Sequence, residues 1–164
     1  MALITNIGAG IFTSLKFKAD SNFTLPTNDT THQAFIAGSG DFNGSTEITN
    51  AREFPSFGKP ANIVNVPNYG QSISSQIQGQ ADAPTMEFTV NYVPSVHGAI
   101  QALVQDGNTY VYQIDVKNAE TGDNAAFYVK GQFASFEVSP NLTDSNQATI
   151  TMSTQGDYVG PFTD

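Results

Sequence analysis

Few side chains in this sequence have the types and spacings that catalysis needs. Its histidines are His32 and His97, each read more simply as a structural residue, and the absence of cysteine excludes thiolate catalysis, disulfides and zinc-thiolate sites. The spaced signatures HExxH, GxSxG and GxxxxGK[ST] do not occur. Acidic pairs such as Asp82 with Glu87 lie beside turn-like segments, whereas a hydrolytic dyad needs carboxyl groups about 5 to 9.5 Å apart across a cleft. We therefore predict no catalytic residue, metal site or cofactor, and expect that the chain is not an enzyme.

The charge balance excludes a protein that binds nucleic acid through its phosphates. The chain has 15 acidic and 6 basic residues, a net charge of −9, and no cluster of lysine or arginine. Charged residues make up only 13% of the sequence, so much of the surface must be uncharged and polar, which suits proteins that pack against copies of themselves. The sequence begins MALITNIGAG, which has neither a signal-peptide pattern nor a membrane-span pattern. We expect synthesis and residence in the cytoplasm.

The second half of the sequence has a regular pattern of strands around one helix. Apolar and polar residues alternate in four predicted strands, at 86–92, 109–117, 126–138 and 148–153. Within 126–138 the apolar residues change parity, which requires a bulge at Gly131 or at Ala134-Ser135. Residues 95–105 carry a helical apolar stripe, with Ser95 as the expected cap and a glycine just past the end.

The first half is less regular. We predict strands at 11–18, 32–36 and 71–78. The whole chain, 1–164, is then a single mainly β domain: an antiparallel β-sandwich or split barrel with one flanking helix at about 95–105.

A long stretch from Gly38 to Gly70 is rich in glycine, proline and aromatic residues. One interpretation is a loop, mobile in the monomer, that packs onto a partner; the other is a loop folded over its own core with a short strand near 46–50. Under the first interpretation a predicted subunit interface contains Arg52, Glu53, Phe54, Phe57 and Tyr69.

The order of elements resembles the major tail protein family of siphophages, the tail tube proteins. The likeness runs from Gly70 to Gly160 and rests on Gly79-Gln80, the strand MEFTVNYVP, the helix HGAIQALVQDG and the strand NTYVYQIDV. These segments are similar to the family's T-F/L-x-V-x-Y/W-x-P strand, G-Q-x-A-L helix and D-G-x-x-Y/R-x-Y-x-I strand.

The resemblance implies a structural virion protein that forms stacked, hexameric rings around a channel for DNA. It implies the virion tail as location, after assembly in the host cytoplasm, without a membrane. The implied partners are further copies of the chain, a tape measure protein, and tail tip and terminator proteins. Acidic side chains facing the channel would keep DNA from sticking, and the candidates are Glu87, Asp115 and Glu137.

Three other functions are consistent with the same patterns. One is another ring-forming virion component, such as a tail terminator, connector, distal tail protein or contractile-tail tube protein. Another is a carbohydrate-binding β-sandwich, in which Tyr69, Tyr110 and Tyr128 would stack on sugars. The third is a small hydrolase.

Overall fold

One curled sheet of seven antiparallel strands organises the chain. A computed structural model describes residues 13–58, 62–70, 72–80, 83–117 and 124–163. The elements are β1 (Ser14–Ala19), α1 (Asp29–Ile36), β2 (Thr46–Glu47), β3 (Ala51–Glu53), β4 (Asn62–Val66), β5 (Ser75–Gly79), β6 (Thr85–Asn91), α2 (Pro94–Gln101), β7 (Tyr110–Lys117), β8 (Asn124–Ser139) and β9 (Gln147–Phe162). The sheet has the spatial order β2-β1-β7-β8-β9-β6-β3, and β4 pairs with β5 in a separate hairpin. The predicted mainly β fold is confirmed.

The edge strands of the seven-stranded sheet are close neighbours in sequence. Residues 48–50 alone separate β2 from β3, so one short strap, residues 46–53, borders both edges. Within it the Ile48 amide donates to the Leu15 carbonyl at 2.9 Å, and the Asn50 carbonyl accepts from the Asn91 amide at 2.9 Å. Because the strap is bonded to β1 and to β6, it holds the two edges of the curled sheet near each other. The predicted sandwich or split barrel is realised as a half-barrel.

The larger hydrophobic core lies on the face of the sheet that we call the inner face. The alternation predicted for residues 86–92 is confirmed, because Met86, Phe88 and Val90 are buried there together with their register partners on β9. Ile100 of α2 belongs to the same core. The amphipathic helix therefore packs on the sheet, as its apolar stripe predicted.

The predicted change of face in β8 is also confirmed. Between Phe133 and Ser135 the pairing with β9 shifts by one residue, which leaves Ala134 as the extra residue of a bulge. Phe136 then packs against the inner core. The alternative site, Gly131, keeps its register opposite Thr154.

Residues 32–36, predicted as a strand, belong to helix α1. Asn28 caps this helix: its side chain accepts from the Thr31 amide at 2.9 Å, while the Thr31 hydroxyl accepts from the Asn28 amide at 3.1 Å. This reciprocal cap favours a helix over a strand. His32 and Phe35, three residues apart, are the buried side chains of α1. The strand prediction was wrong because a short apolar alternation cannot distinguish the two periods.

The flanking helix predicted at 95–105 is present as Pro94–Gln101, with turns from 102 to 105. Its N-cap is Val93, which makes no side-chain cap, so the expected Ser95 cap was wrong. Pro94 occupies the first turn, where a missing amide proton costs nothing. The backbone amide of Val93 donates instead to Nδ1 of His97 at 3.0 Å.

The stretch 38–70, predicted as a long loop, contains β2, β3 and β4. β2 and β3 are two and three residues long, too short to show a period-2 pattern. They are strands because they complete the edges of the sheet. Residues 46–57 thus follow the alternative interpretation, a segment folded back over its own core. The first two residues of the strand predicted at 11–18 lie outside the described residues.

Candidate functional site

Both histidines are enclosed by their own chain. His97 is fully buried, and its Nε2 lies 3.1 Å from the Thr49 carbonyl while its Nδ1 accepts from Val93. Nε2 therefore carries the proton, and the ring ties α2 to the strap. His32 is also fully buried; its Nδ1 lies 3.0 Å from the Tyr128 hydroxyl, and its ring stacks on Phe162. These contacts are structural.

The acidic residues form no recognisable ligand cluster in the described part of the chain. Within the described ranges, no group of three or more histidine, cysteine or acidic residues could hold a metal ion. Asp82, one member of the acidic pair considered for hydrolysis, lies outside those ranges. The described helices are too short to cross a bilayer.

Two of the three tyrosines considered for sugar stacking are buried, so that interpretation needs correction. Tyr110 and Tyr128 lie inside the molecule, because β7 and the first half of β8 are covered on both faces. The Tyr110 hydroxyl donates to Asp106 at 2.5 Å, which lowers the pKa of that carboxyl. Stacking on a sugar requires an exposed ring face. Of the three, Tyr69 alone is exposed.

The residues predicted for a subunit interface lie in two places. Phe54 packs edge-on against Phe88, with ring centroids 5.0 Å apart, and Phe57 packs against Phe127 at 4.9 Å. Both rings therefore pack against the core of their own chain, and each is partly exposed to solvent. Their contact with a neighbouring subunit stays a prediction.

The polar members of that set are on the surface. Arg52 forms an ion pair with Asp144 of its own chain at 3.2 Å, and Glu53 is exposed on β3. Tyr69 is fully exposed at the turn of the β4–β5 hairpin, whose strands form a sheet of their own. The structure thus separates Tyr69 from the strap residues with which the sequence grouped it.

Two of the three predicted channel residues share one surface. Glu87 pairs in register with Thr151, which pairs on its other side with Ser135, and the next row contains Thr149 and Glu137. These side chains lie opposite the inner core, and both glutamates are exposed. We call the surface formed by Glu87, Thr89, Ser135, Glu137, Thr149 and Thr151 the outer polar face. Whether it borders a channel stays a prediction.

Asp115 has a different environment from the two glutamates. It is only 6% exposed, and its carboxylate accepts from Gln113 Nε2 at 2.7 Å, Ser14 Oγ at 3.3 Å and Lys16 Nζ at 3.4 Å. Lys16 compensates its charge within the same chain. Little of that charge reaches solvent, so Glu87 and Glu137 are the better placed channel candidates.

The sequence patterns identified the β4–β5 hairpin only in part, through the strand predicted at 71–78, of which residues 75–78 belong to β5. Within the described part of the chain, its strands hydrogen-bond to each other and not to the seven-stranded sheet. Every described residue from 62 to 78 is exposed. Val64 and Ile77 are register partners, 43% and 55% exposed, and Val66 lies on the same side. We call these three side chains the hairpin face.

The hairpin also carries no charge. No acidic or basic residue occurs between Lys59 and Asp82, in a chain whose net charge is −9. A signal for the hairpin was present: β-branched residues at 62–66 precede a Pro-Asn-Tyr-Gly turn, in which Gly70 has a φ of 93°. The glycine content of the whole 38–70 stretch obscured it.

Comparison with known proteins identifies the fold. The sequence matches no protein-family model and no curated protein. A chain of the anti-feeding prophage baseplate, determined by cryo-electron microscopy with sixfold symmetrisation, is similar with a TM-score of 0.57 and 7% identity, over 90% of this chain and 92% of that one. An Hcp protein crystal structure gives a TM-score of 0.42 and 16% identity, over 87% and 88%. The first likeness shows a shared fold, and the second is too weak to support an argument.

Proposed function

We propose that this chain is a structural subunit of a phage-type tail that assembles into rings of six, and that the rings stack into a hollow tube through which DNA passes. The observation that carries this proposal is the uncharged hairpin with its exposed valine and isoleucine side chains. Apolar side chains that are exposed together on one face mark a candidate contact surface. In a self-assembling protein, the partner that covers such a surface is a second copy of the same chain.

The fold supports the same proposal. The similar chain belongs to a baseplate of sixfold symmetry, and a ring of identical subunits needs a surface on each copy that reaches its neighbour. The hairpin supplies that reach, because a five-residue strand extends about 17 Å. The proposed role is structural and not enzymatic, in a virion tail with a tape measure, tail tip and terminator proteins as its other partners.

The outer polar face is the proposed lining of the channel. It consists of threonine and serine with Glu87 and Glu137 among them, and no lysine or arginine is part of it. Each lysine or arginine that captured a phosphate would hold DNA in place, and the trap would recur in every ring. Hydroxyls and carboxylates leave DNA free to slide.

Assembly of the pure protein tests the proposal. We expect a monomer in dilute solution and rings or tubes in concentrated solution or with a tail-tip initiator, observed by sedimentation velocity and negative-stain electron microscopy. Val64→Asp with Ile77→Asp should abolish assembly, because each copy would bring charge into the hairpin contact. Thr24→Asp with Gln33→Asp adds the same charge elsewhere on the exposed surface and serves as the matched control. A monodisperse monomer under all these conditions would contradict the proposal.

A single-ring component is the second candidate, and the baseplate origin of the similar structure favours it. Tail terminators, connectors and distal tail proteins stop at one ring, whereas a tube protein polymerises. Filament length in the same micrographs separates the two functions.

A further inference from the structure

A second exposed apolar surface lies at the end of the sheet where β8 turns into β9. Leu142, in that turn, is fully exposed, and Val138 of β8 is 40% exposed. Val96 of α2 is 43% exposed and lies at the same end, because the Tyr92 amide just before α2 donates to the Asn146 carbonyl at 2.8 Å. We call Val96, Val138 and Leu142 the turn patch.

The loop that presents Leu142 is held by a dense set of hydrogen bonds. The Asn141 side-chain oxygen accepts from the Thr143 amide at 3.0 Å and from the Asp144 amide at 3.3 Å. The Asn146 side chain accepts from the Asn141 amide at 3.0 Å, closing the loop on itself. Turns normally carry polar residues at such positions. A leucine held in water by a preorganised loop loses little entropy when a partner covers it.

The tip of this loop is also tied to neighbouring strands. Asp144 pairs with Arg52 of the strap, and the Ser145 hydroxyl donates to the Asn91 side chain at 2.8 Å. Asp144 is the sole charged residue from 138 to 146 in the sequence, and Arg52 compensates it. The turn patch, like the hairpin, is therefore close to neutral.

The charge distribution favours a second copy of the chain as the occupant. Two copies of a chain with a net charge of −9 repel each other, so they approach most easily through surfaces that carry no net charge. The hairpin face and the turn patch are two such surfaces, both are apolar, and both remain uncovered in the same chain. Each can be covered if it meets the other on a different copy.

We propose that the turn patch of one copy receives the hairpin face of a second copy. This inference rests on the proposed function and names the two surfaces that meet in the assembly. The contact joins different surfaces head to tail, so it closes into a ring or extends into a stack, depending on the rotation between copies.

Paired cysteines test the contact, because the natural sequence contains none. Ile77→Cys and Leu142→Cys are made in separate chains, mixed in concentrated solution and treated with a mild oxidant. A disulfide requires Cα atoms within about 7 Å of each other. We expect the mixed disulfide dimer to form at least about tenfold faster than in a mixture of Leu142→Cys with Gln33→Cys, an exposed position on α1, since assembly raises the effective concentration of thiols that meet.

The outcomes separate this inference from the proposed function. If the wild-type chain forms rings but the mixed pair joins no faster than the control, the turn patch is not the receiving surface and the function stands. Faster joining of Ile77→Cys with itself would replace the contact by a hairpin-hairpin one. If the wild-type chain never assembles and all rates are equal, both proposals fail.

A second variant tests the energetic role of the turn. Leu142→Asp should raise the concentration needed for assembly by at least about tenfold, because it places a charge at the centre of the contact. The side chain is fully exposed in the monomer, so the circular dichroism spectrum and the unfolding midpoint should stay unchanged. Gln33→Asp is the control for added charge, and equal assembly of the two variants would overturn the inference.

Discussion

Strand β6 of the sheet and strand β4 of the hairpin are both short and both carry apolar side chains, yet Phe88 on β6 is fully buried whereas Val64 on β4 is 43% exposed. β6 lies between β9 and β3 in the sheet, and its apolar face belongs to the inner core. In the described part of the chain, β4 pairs with β5 alone. A strand pattern therefore specifies which side chains share a face, but not which molecule covers that face.

The largest difference between the two regions should appear on truncation. Phe88→Ala removes a buried ring that packs against Phe54, and we expect it to lower the free energy of unfolding by about 3–5 kcal/mol. Val64→Ala should change the stability of the dilute monomer by less than about 0.5 kcal/mol. Urea unfolding followed by circular dichroism measures both. Equal losses would mean that the hairpin belongs to the core of its own chain.

Alkaline titration tests the burial of the tyrosines in the sheet. Burial, followed by the hydrogen bond to Asp106, raises the pKa of Tyr110 to about 12, and burial raises the pKa of Tyr112 and of Tyr158. In the unfolded chain these groups ionise near pH 10. The folded state holds their protons more tightly, so this stability is complete below about pH 10 and declines as the pH rises toward about 12.

Tyrosinate absorbance and circular dichroism across this range measure the transition. Tyr110→Phe should shift part of the loss to higher pH, because it removes one group that must ionise in the unfolded chain. Gln33→Ala, an exposed substitution that removes no tyrosine, is the control and should leave the transition where it is. If the two variants behave alike, the burial of the sheet tyrosines does not govern alkaline stability.

A smaller difference in stability is expected between substitutions of a buried and of an exposed acidic residue of the sheet. Asp115→Asn replaces a buried carboxylate that accepts from Ser14, Lys16 and Gln113, and we expect a loss of about 1–3 kcal/mol. Glu87→Gln, on the outer polar face, should change stability by less than about 0.5 kcal/mol. Thermal unfolding at neutral pH compares the two variants. A larger loss of stability for Glu87→Gln would mean that Glu87, and not Asp115, makes the stabilising contacts.

The smallest effect on the folded chain is expected from charge reversal on the outer polar face. Glu87→Lys with Glu137→Lys should permit folding and assembly but slow DNA ejection from virions, because lysines there would capture phosphates. Gln101→Lys with Ala102→Lys, exposed at the end of α2, is the control for added positive charge. Unchanged ejection from fully assembled double-mutant virions would remove the channel assignment and leave the tube proposal intact.

Periodicity predicted the second half of the fold well. The alternation through Met86, Phe88 and Val90, the helical stripe at Ile100 and the bulge at Ala134 are all local consequences of which residues face the core. The bulge also explains why Glu137 shares a face with Glu87.

The remaining features depend on contacts between distant segments. Asp115 is buried because Ser14 and Lys16 of β1 lie beside it, and no pattern within β7 encodes that neighbour. β2 and β3 exist only as edges of a sheet built by other strands. The α1 cap was a local signal that the strand interpretation overlooked, since Asn28 and Thr31 have the spacing of a capping box.

The strap of residues 46–53 has a consequence for the order in which the chain folds. The β8–β9 hairpin joins segments that are close in sequence, whereas Ser14 of β1 meets Asp115 across 101 positions. Such distant pairing must first overcome the entropy of closing a long loop, so folds rich in it form in milliseconds to seconds. Because the strap bonds to β1 and β6, it can settle only after both strands are in place. Until that last closure, a newly made chain has open sheet edges as well as its apolar hairpin, and this is the stage at which we expect it to be most prone to aggregate.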